Sequence, residues 1–181
     1  SKDEVMDFLK KRQGVLEGIC ISGGEPLLHD ELEPFLKEVK DLGYQVKLDT
    51  NGTFPDKLRY LVENKLVDYV AMDIKNDLDH YFPTVGIQSM NLEALKQSVA
   101  YLLEGHCDYE FRTTCIKEFH TLENMQAIGK WIKGAKRFYL QNFVDRPSVL
   151  QPGLHGFSKE ELEKFRECLL NDLEQVEIRG V

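Results

Sequence analysis

Short apolar runs alternate with amphipathic helical segments along this sequence, and that alternation limits the folds open to it. Ile19-Cys20-Ile21 is bounded by glycines and reads as a buried strand, with Cys20 acting as a small hydrophobe. Residues 44–50 alternate, with Val46 and Leu48 on one face and Lys47 and Asp49 on the other. Residues 69–74, 110–116 and 138–143 read as three further strands. Helices fall between them. Ser1-x-x-Glu4 caps a first helix whose apolar face is Val5, Phe8 and Leu9. Asp30-x-x-Glu33 opens a second, with Pro34 in its first turn, Leu36 and Val39 on its apolar side, and Gly43 at its end. Pro55 starts a third, carrying Leu58, Leu61 and Val62. Asn91 and Thr121 cap two more. After an irregular stretch with Pro147, Pro152 and Gly153, Ser158-x-x-Glu161 opens a last helix that buries Leu162, Phe165, Leu169 and Leu173.

Strand–helix–strand repeats with crossover helices make a parallel sheet covered by helices. Such a sheet is either open and doubly wound, or a closed or partial (β/α) barrel. A sheet covered on both faces reads as near-continuous apolar runs. These strands instead carry charge on one face, at Asp49, at Asp73 with Lys75, and at Glu110 with Arg112, which favours a barrel whose interior holds a polar ligand.

The length of 181 residues suits one domain spanning 1–181. A net charge of −8 argues against nonspecific nucleic-acid binding and against an anionic membrane surface. No apolar run approaches the roughly 20 residues that cross a bilayer, and no secretory leader pattern is present. The four cysteines, Cys20, Cys107, Cys115 and Cys168, form no C-x-x-C pair or metal-ligand spacing, so they read as reduced thiols of a cytoplasmic protein. None of the five histidines has ligand spacing, and each reads as structural.

Ligands of both architectures sit at the C-terminal ends of the strands. There the sequence places Ser22, Gly23, Gly24 and Glu25, then Asp49, Thr50, Asn51 and Gly52, then Asp73 and Lys75, then Arg112, and finally Gln141 and Asn142. Gly23 and Gly24 let backbone N–H groups approach a ligand, and Glu25 can accept from an ammonium or hydroxyl. The same residues also suit a plain tight turn, and Asp73 with Lys75 suits a self-satisfied ion pair. Dinucleotide, P-loop and nucleophile-elbow fingerprints are absent from the sequence.

Ile21-Ser22-Gly23-Gly24-Glu25-Pro26 after a strand resembles the GGE motif of the radical S-adenosylmethionine superfamily. Leu48-Asp49-Thr50-Asn51-Gly52 and Met72-Asp73-Ile74-Lys75 follow in order, and together they resemble the activating enzymes of glycyl radical proteins. Phe111-Arg112-Thr113-Thr114, Lys117-Glu118-Phe119-His120 and Tyr139-Leu140-Gln141-Asn142-Phe143 resemble the anaerobic ribonucleoside-triphosphate reductase activating branch more than the pyruvate formate-lyase activating branch. The resemblance implies a partial (β/α), TIM-like barrel of about six units with S-adenosylmethionine across the strand ends. It implies that Ser22, Gly23, Gly24 and Glu25 hold the methionyl amino group. Asp49, Thr50, Asn51, Asp73 and Lys75 would contact the methionyl and ribose parts, with Arg112 on the same wall and Gln141 and Asn142 near the adenosine. It further implies a glycyl radical enzyme as partner and a flavodoxin- or ferredoxin-type electron donor.

One departure is large. The superfamily's C-x-x-x-C-x-x-C motif, whose thiolates hold a [4Fe–4S] cluster, does not occur in this sequence. In relatives it precedes the helix that opens this chain, so the sequence reads as a fragment lacking the first strand and cluster loop, and inactive on its own. Two other readings stay open: a cluster-free nucleoside- or partner-binding module, and an unrelated barrel enzyme using Asp73 and Lys75 as an acid–base pair.

Overall fold

The computed structural model describes residues 1–86, 88, 91–146, 149 and 151–181; Pro147 lies outside them. The elements in chain order are α1 (Lys2–Lys11), β1 (Gly18–Ile21), a 3₁₀ turn (Pro26–Leu28), α2 (Leu32–Asp41), β2 (Gln45–Thr50), α3 (Pro55–Glu63), β3 (Tyr69–Asp73), α4 (Tyr81–Val85), α5 (Leu92–Leu103), β4 (Asp108–Cys115), α6 (Leu122–Trp131), β5 (Phe138–Asn142), α7 (Lys159–Leu169) and β6 (Val176–Arg179). The sheet order is β1-β2-β3-β4-β5-β6. A doubly wound sheet must reverse its order at a switch point. Strictly sequential order therefore selects the other alternative, and the fold is a partial (β/α) barrel. The β1–β2, β4–β5 and β5–β6 pairs are parallel.

Residue contacts divide the chain into two compact units, Ser1–Ala71 with Glu93–Tyr109, and Met72–Leu92 with Glu110–Val181. In the first, the Ser1–Glu4 capping box forms as the sequence predicts. The buried face of α1 is Met6 and Leu9, however, while Val5 and Phe8 are exposed. The buried hydroxyl of Tyr44 donates to the Leu9 carbonyl at 2.6 Å and fixes which side of the helix turns inward. Asp30 does not cap α2. Its carboxylate takes Lys57 Nζ at 2.9 Å, and the cap position is Glu31, with no side-chain bond. Gly43 ends the segment at φ +87°, a conformation that disfavours a Cβ. Leu36, Val39, Leu48 and Leu58 are fully buried, each stabilising the fold by roughly 1.5–3 kcal/mol.

The expected burial of Cys20 is corrected: it is exposed, and burial along β1 only alternates. β1 stands at one end of the strand order and pairs with β2.

The second unit buries Phe111, Phe138, Leu140, Met125, Ile128 and Phe165 between its strands and helices. Capping boxes at Thr121–Asn124 and Ser158–Glu161 start α6 and α7. Two elements are absent from the sequence reading, the short α4 and the strand β6. β6 holds four residues with the alternation Val-Glu-Ile-Arg, too short for periodicity to separate it from a loop.

Candidate functional site

In the first unit the chain leaves β1 through Ser22-Gly23-Gly24-Glu25. Gly23 has φ +134°, and a Cβ built on Gly23 or Gly24 meets nothing within 4 Å. The loop therefore turns bare backbone to open space, a cavity of about 530 Å³ bounded by Gly23, Gly24, Pro26, Leu32 and Phe35.

Glu25 is buried and lines the same cavity. Its Oε1 accepts from the Leu27 N–H at 3.1 Å and the Thr50 hydroxyl at 2.9 Å, and its Oε2 accepts from the Asn51 N–H at 2.6 Å. One carboxylate thus starts the 3₁₀ turn and pins the end of β2. A carboxylate offers about four acceptor positions, and these bonds use three. Thr50 in turn accepts from the Gly52 N–H at 3.1 Å, and Asn51 Oδ1 accepts from the Thr53 N–H at 3.0 Å. Thr50 and Asn51 shape the loop. Asp49, on the other face of β2, faces Lys47 at 4.0 Å.

In the second unit Asp73 accepts Arg112 Nε at 2.5 Å on Oδ1 and Lys75 Nζ at 2.7 Å on Oδ2. Burial alone would raise the Asp73 carboxyl, but the Lys75 charge and the Arg112 hydrogen bond outweigh it and hold the group below its ordinary range. Asp73 is thus an anion compensated by two cations, the form suited to binding and not to giving up a proton near neutral pH.

The strand end is held from behind by a network around His120, in keeping with the structural reading of the histidines. His120 is buried; its Nε2–H donates to the Lys75 carbonyl at 2.8 Å, and Nδ1 accepts from the Ile116 N–H at 3.1 Å. The buried Asn76 side chain donates to Thr84 and to the Phe119 carbonyl. Asp77 accepts from Asn124 at 2.6 Å and from the His80 ring at 2.8 Å. Spacing gives no hint of this network, because its members come from two separate stretches, 75–84 and 116–124.

His120 makes the network sensitive to acid. Burial pushes its basicity below the ordinary histidine value, partly offset by the Lys75 and Ile116 carbonyls. The unfolded chain then takes up a proton first, from about pH 6.5 downward, so stability falls as pH drops below that point. The urea midpoint is expected to fall between pH 7 and pH 5, above the carboxylate range, and to fall less in His120→Gln. Equal slopes for the two proteins would remove His120 as the cause.

Of the remaining residues expected at the site, Gln141 is half-buried. Asn142 is already engaged: its Nδ2 donates to the Phe157 carbonyl and its Oδ1 accepts from the Phe157 N–H, both at 2.9 Å. A Cβ on the neighbouring Gly156 would lie 2.8 Å from Asn142 Oδ1, so this clasp requires glycine.

For an iron–sulfur cluster the donor set does not fit. Among the described residues no three His, Cys, Asp or Glu side chains gather as metal ligands. Cys115 is buried and its thiol is pushed up to about 12 by burial, opposite to what a thiolate ligand needs.

Residues 2–120 match the Radical SAM superfamily. A protein of Methanocaldococcus jannaschii, provisionally named a glycyl-radical enzyme activating enzyme, is 33% identical over 132 residues, covering 70% of this chain and 55% of that protein. A 7-carboxy-7-deazaguanine synthase of Koribacter versatilis is 30% identical over 133 residues, covering 68% of this chain and 52% of that protein. The chain spans about half the length of the curated relatives it matches. Among solved structures, a domain of pyruvate-formate lyase-activating enzyme from Bacteroides vulgatus superposes with a TM-score of 0.73 at 20% identity, covering 90% of this chain and 99% of that one. Streptococcus suis SuiB bound to S-adenosylmethionine superposes with a TM-score of 0.76 at 13% identity, covering 99% of this chain and 43% of that one. At these identities the structural likeness speaks for the fold.

Proposed function

The chain belongs to the radical SAM superfamily, and from that premise we propose that it is the S-adenosylmethionine-binding part of an activating enzyme for a glycyl radical enzyme. The observation that carries the binding reading is the loop Ser22-Gly23-Gly24-Glu25. Its glycines turn unobstructed backbone to a cavity of about 530 Å³, and its glutamate keeps one acceptor position for an ammonium group. In the proposal Ser22, Gly23, Gly24 and Glu25 hold the methionyl amino group, while Thr50, Asn51 and Asp49 set the loop beside it. In the second unit Asp73, Lys75 and Arg112 supply polar contacts, with Gln141 toward the adenosine; Asn142 acts through the Phe157 clasp.

The activase reading is supported by the relative from M. jannaschii, provisionally named a glycyl-radical enzyme activating enzyme. The partner would be a glycyl radical enzyme, served by a flavodoxin- or ferredoxin-type electron donor in a reducing cytoplasm. No described helix is long and apolar enough to cross a membrane. A reduced [4Fe–4S] cluster supplies the electron for the superfamily's chemistry. The described residues do not provide its ligands, so no cleavage step is assigned to them.

Equilibrium dialysis against labelled S-adenosylmethionine tests the proposal. Saturable binding of one molecule per chain is expected, with no 5′-deoxyadenosine formed on addition of dithionite. Absence of saturable binding would overturn the binding reading, and product formation would overturn the inactivity of this chain.

A further inference from the structure

The loop after β2 carries Asn51-Gly52, a pair that can react with itself. The Gly52 nitrogen attacks the Asn51 side-chain carbon Cγ. The Cγ–Nδ2 bond breaks, ammonia leaves with the Gly52 proton, and a cyclic succinimide forms. Water then opens the ring to aspartate or isoaspartate. The step needs no oxidant or reductant and no co-reactant beyond water. Glycine favours it because no side chain obstructs its nitrogen, and the reacting atoms are already neighbours in the chain.

In the native loop the two halves of this reaction are set against each other. The electrophile is primed. Asn51 Oδ1 accepts from the Thr53 N–H at 3.0 Å and from the Thr53 hydroxyl at 2.7 Å. Donors on that oxygen stabilise the charge that attack on Cγ places there. The nucleophile is restrained. The Gly52 N–H donates to Thr50 Oγ1 at 3.1 Å, and the Gly52 carbonyl accepts from the hydroxyl of Ser98, on α5, at 2.7 Å. The nitrogen cannot swing onto Cγ without leaving Thr50. Thr50 is itself fixed: its hydroxyl hydrogen goes to Glu25 Oε1 at 2.9 Å, which leaves a lone pair for Gly52. Glu25, Thr50, Gly52 and Ser98 are all buried, so water does not compete for these bonds.

Neither residue of the pair is open to a less reactive replacement. Gly52 stands at φ +79°, where a side chain is strained, and the Asn51 side chain closes the turn onto Thr53. We propose that Asn51 is a deamidation site whose reaction the buried Glu25–Thr50–Gly52 relay holds back in the native loop. When the relay opens, a neutral amide becomes a carboxylate in the residue whose N–H binds Glu25. The inference rests on hydrogen bonds within the first unit and does not depend on S-adenosylmethionine binding.

Peptide mapping by mass spectrometry, following Asn, Asp and isoaspartate at position 51 of the intact chain at neutral pH, tests it. The native chain is expected to react at least about tenfold more slowly than the same chain unfolded in urea, the rate equivalent of one neutral hydrogen bond. Thr50→Val removes the acceptor and is expected to raise the native rate about tenfold, with Thr50→Ser restoring it. Ser98→Ala leaves Glu25 and Thr50 paired, is expected to raise the rate about threefold, and stands in for Thr50→Val should that variant not fold. Leu36→Ala, a fully buried position outside the loop, lowers stability without touching the relay and is expected to leave the native rate unchanged. Equal rates in the native and unfolded chain, no acceleration in the folded Thr50→Val or Ser98→Ala variant, a Thr50→Ser chain as fast as Thr50→Val, or equal acceleration by Leu36→Ala would each overturn the proposal.

Discussion

Glu25→Ala is expected to destabilise the chain by about 3–5 kcal/mol, more than a surface carboxylate in a loop would suggest. The side chain is buried and accepts three hydrogen bonds, from the Leu27 N–H, the Thr50 hydroxyl and the Asn51 N–H. Removing it strands those donors without a partner from the protein. Each buried, unpartnered donor costs roughly 1–3 kcal/mol, and Asn51, being only part-buried, lies at the low end. Glu25→Gln should cost less, since its carbonyl oxygen can keep part of the set, but its amide nitrogen must then face a donor. The expected order in urea unfolding is wild type, then Gln, then Ala, with little change in slope. A loss below about 1 kcal/mol for the alanine variant would mean that solvent replaces the carboxylate, and that the β1 and β2 loops are not joined through it.

That prediction marks where sequence reading stops. Position was legible for Glu25, Asp49, Asp73 and Lys75, which lie at or just past strand ends because βαβ order dictates which loops gather there, whereas Arg112 lies inside β4. Capping boxes were legible as well, since Ser1–Glu4 and Ser158–Glu161 are satisfied within one helical turn. Partners at long range were not. Glu25 reads as a residue that faces a ligand, yet it spends most of its acceptor capacity on the protein. Asn142 spends its amide on Phe157, fifteen residues along the chain. The face of α1 failed for the same reason. Val5, Met6, Phe8 and Leu9 allow more than one apolar stripe, and the bond from Tyr44 to the Leu9 carbonyl decides between them.

Gly24→Val is expected to leave folding intact and to reduce S-adenosylmethionine binding by at least a hundredfold. These two outcomes normally conflict at a glycine, and here the geometry separates them. Gly24 is not in the left-handed region, and a Cβ at this position meets nothing within 4 Å, so the unfolding midpoint should barely move. The space a valine side chain would enter is the cavity itself, where a ligand must approach the backbone N–H groups. Gly23→Val is the informative contrast, because its φ of +134° adds backbone strain and should lower stability as well. A Gly24→Val chain that still binds S-adenosylmethionine would move the ligand away from this loop. One that unfolds would show that the loop packs against something in solution. Loss of binding with an unchanged midpoint would leave the open glycine backbone as the feature that the ligand reads, with Glu25 holding that backbone in shape from the protein side.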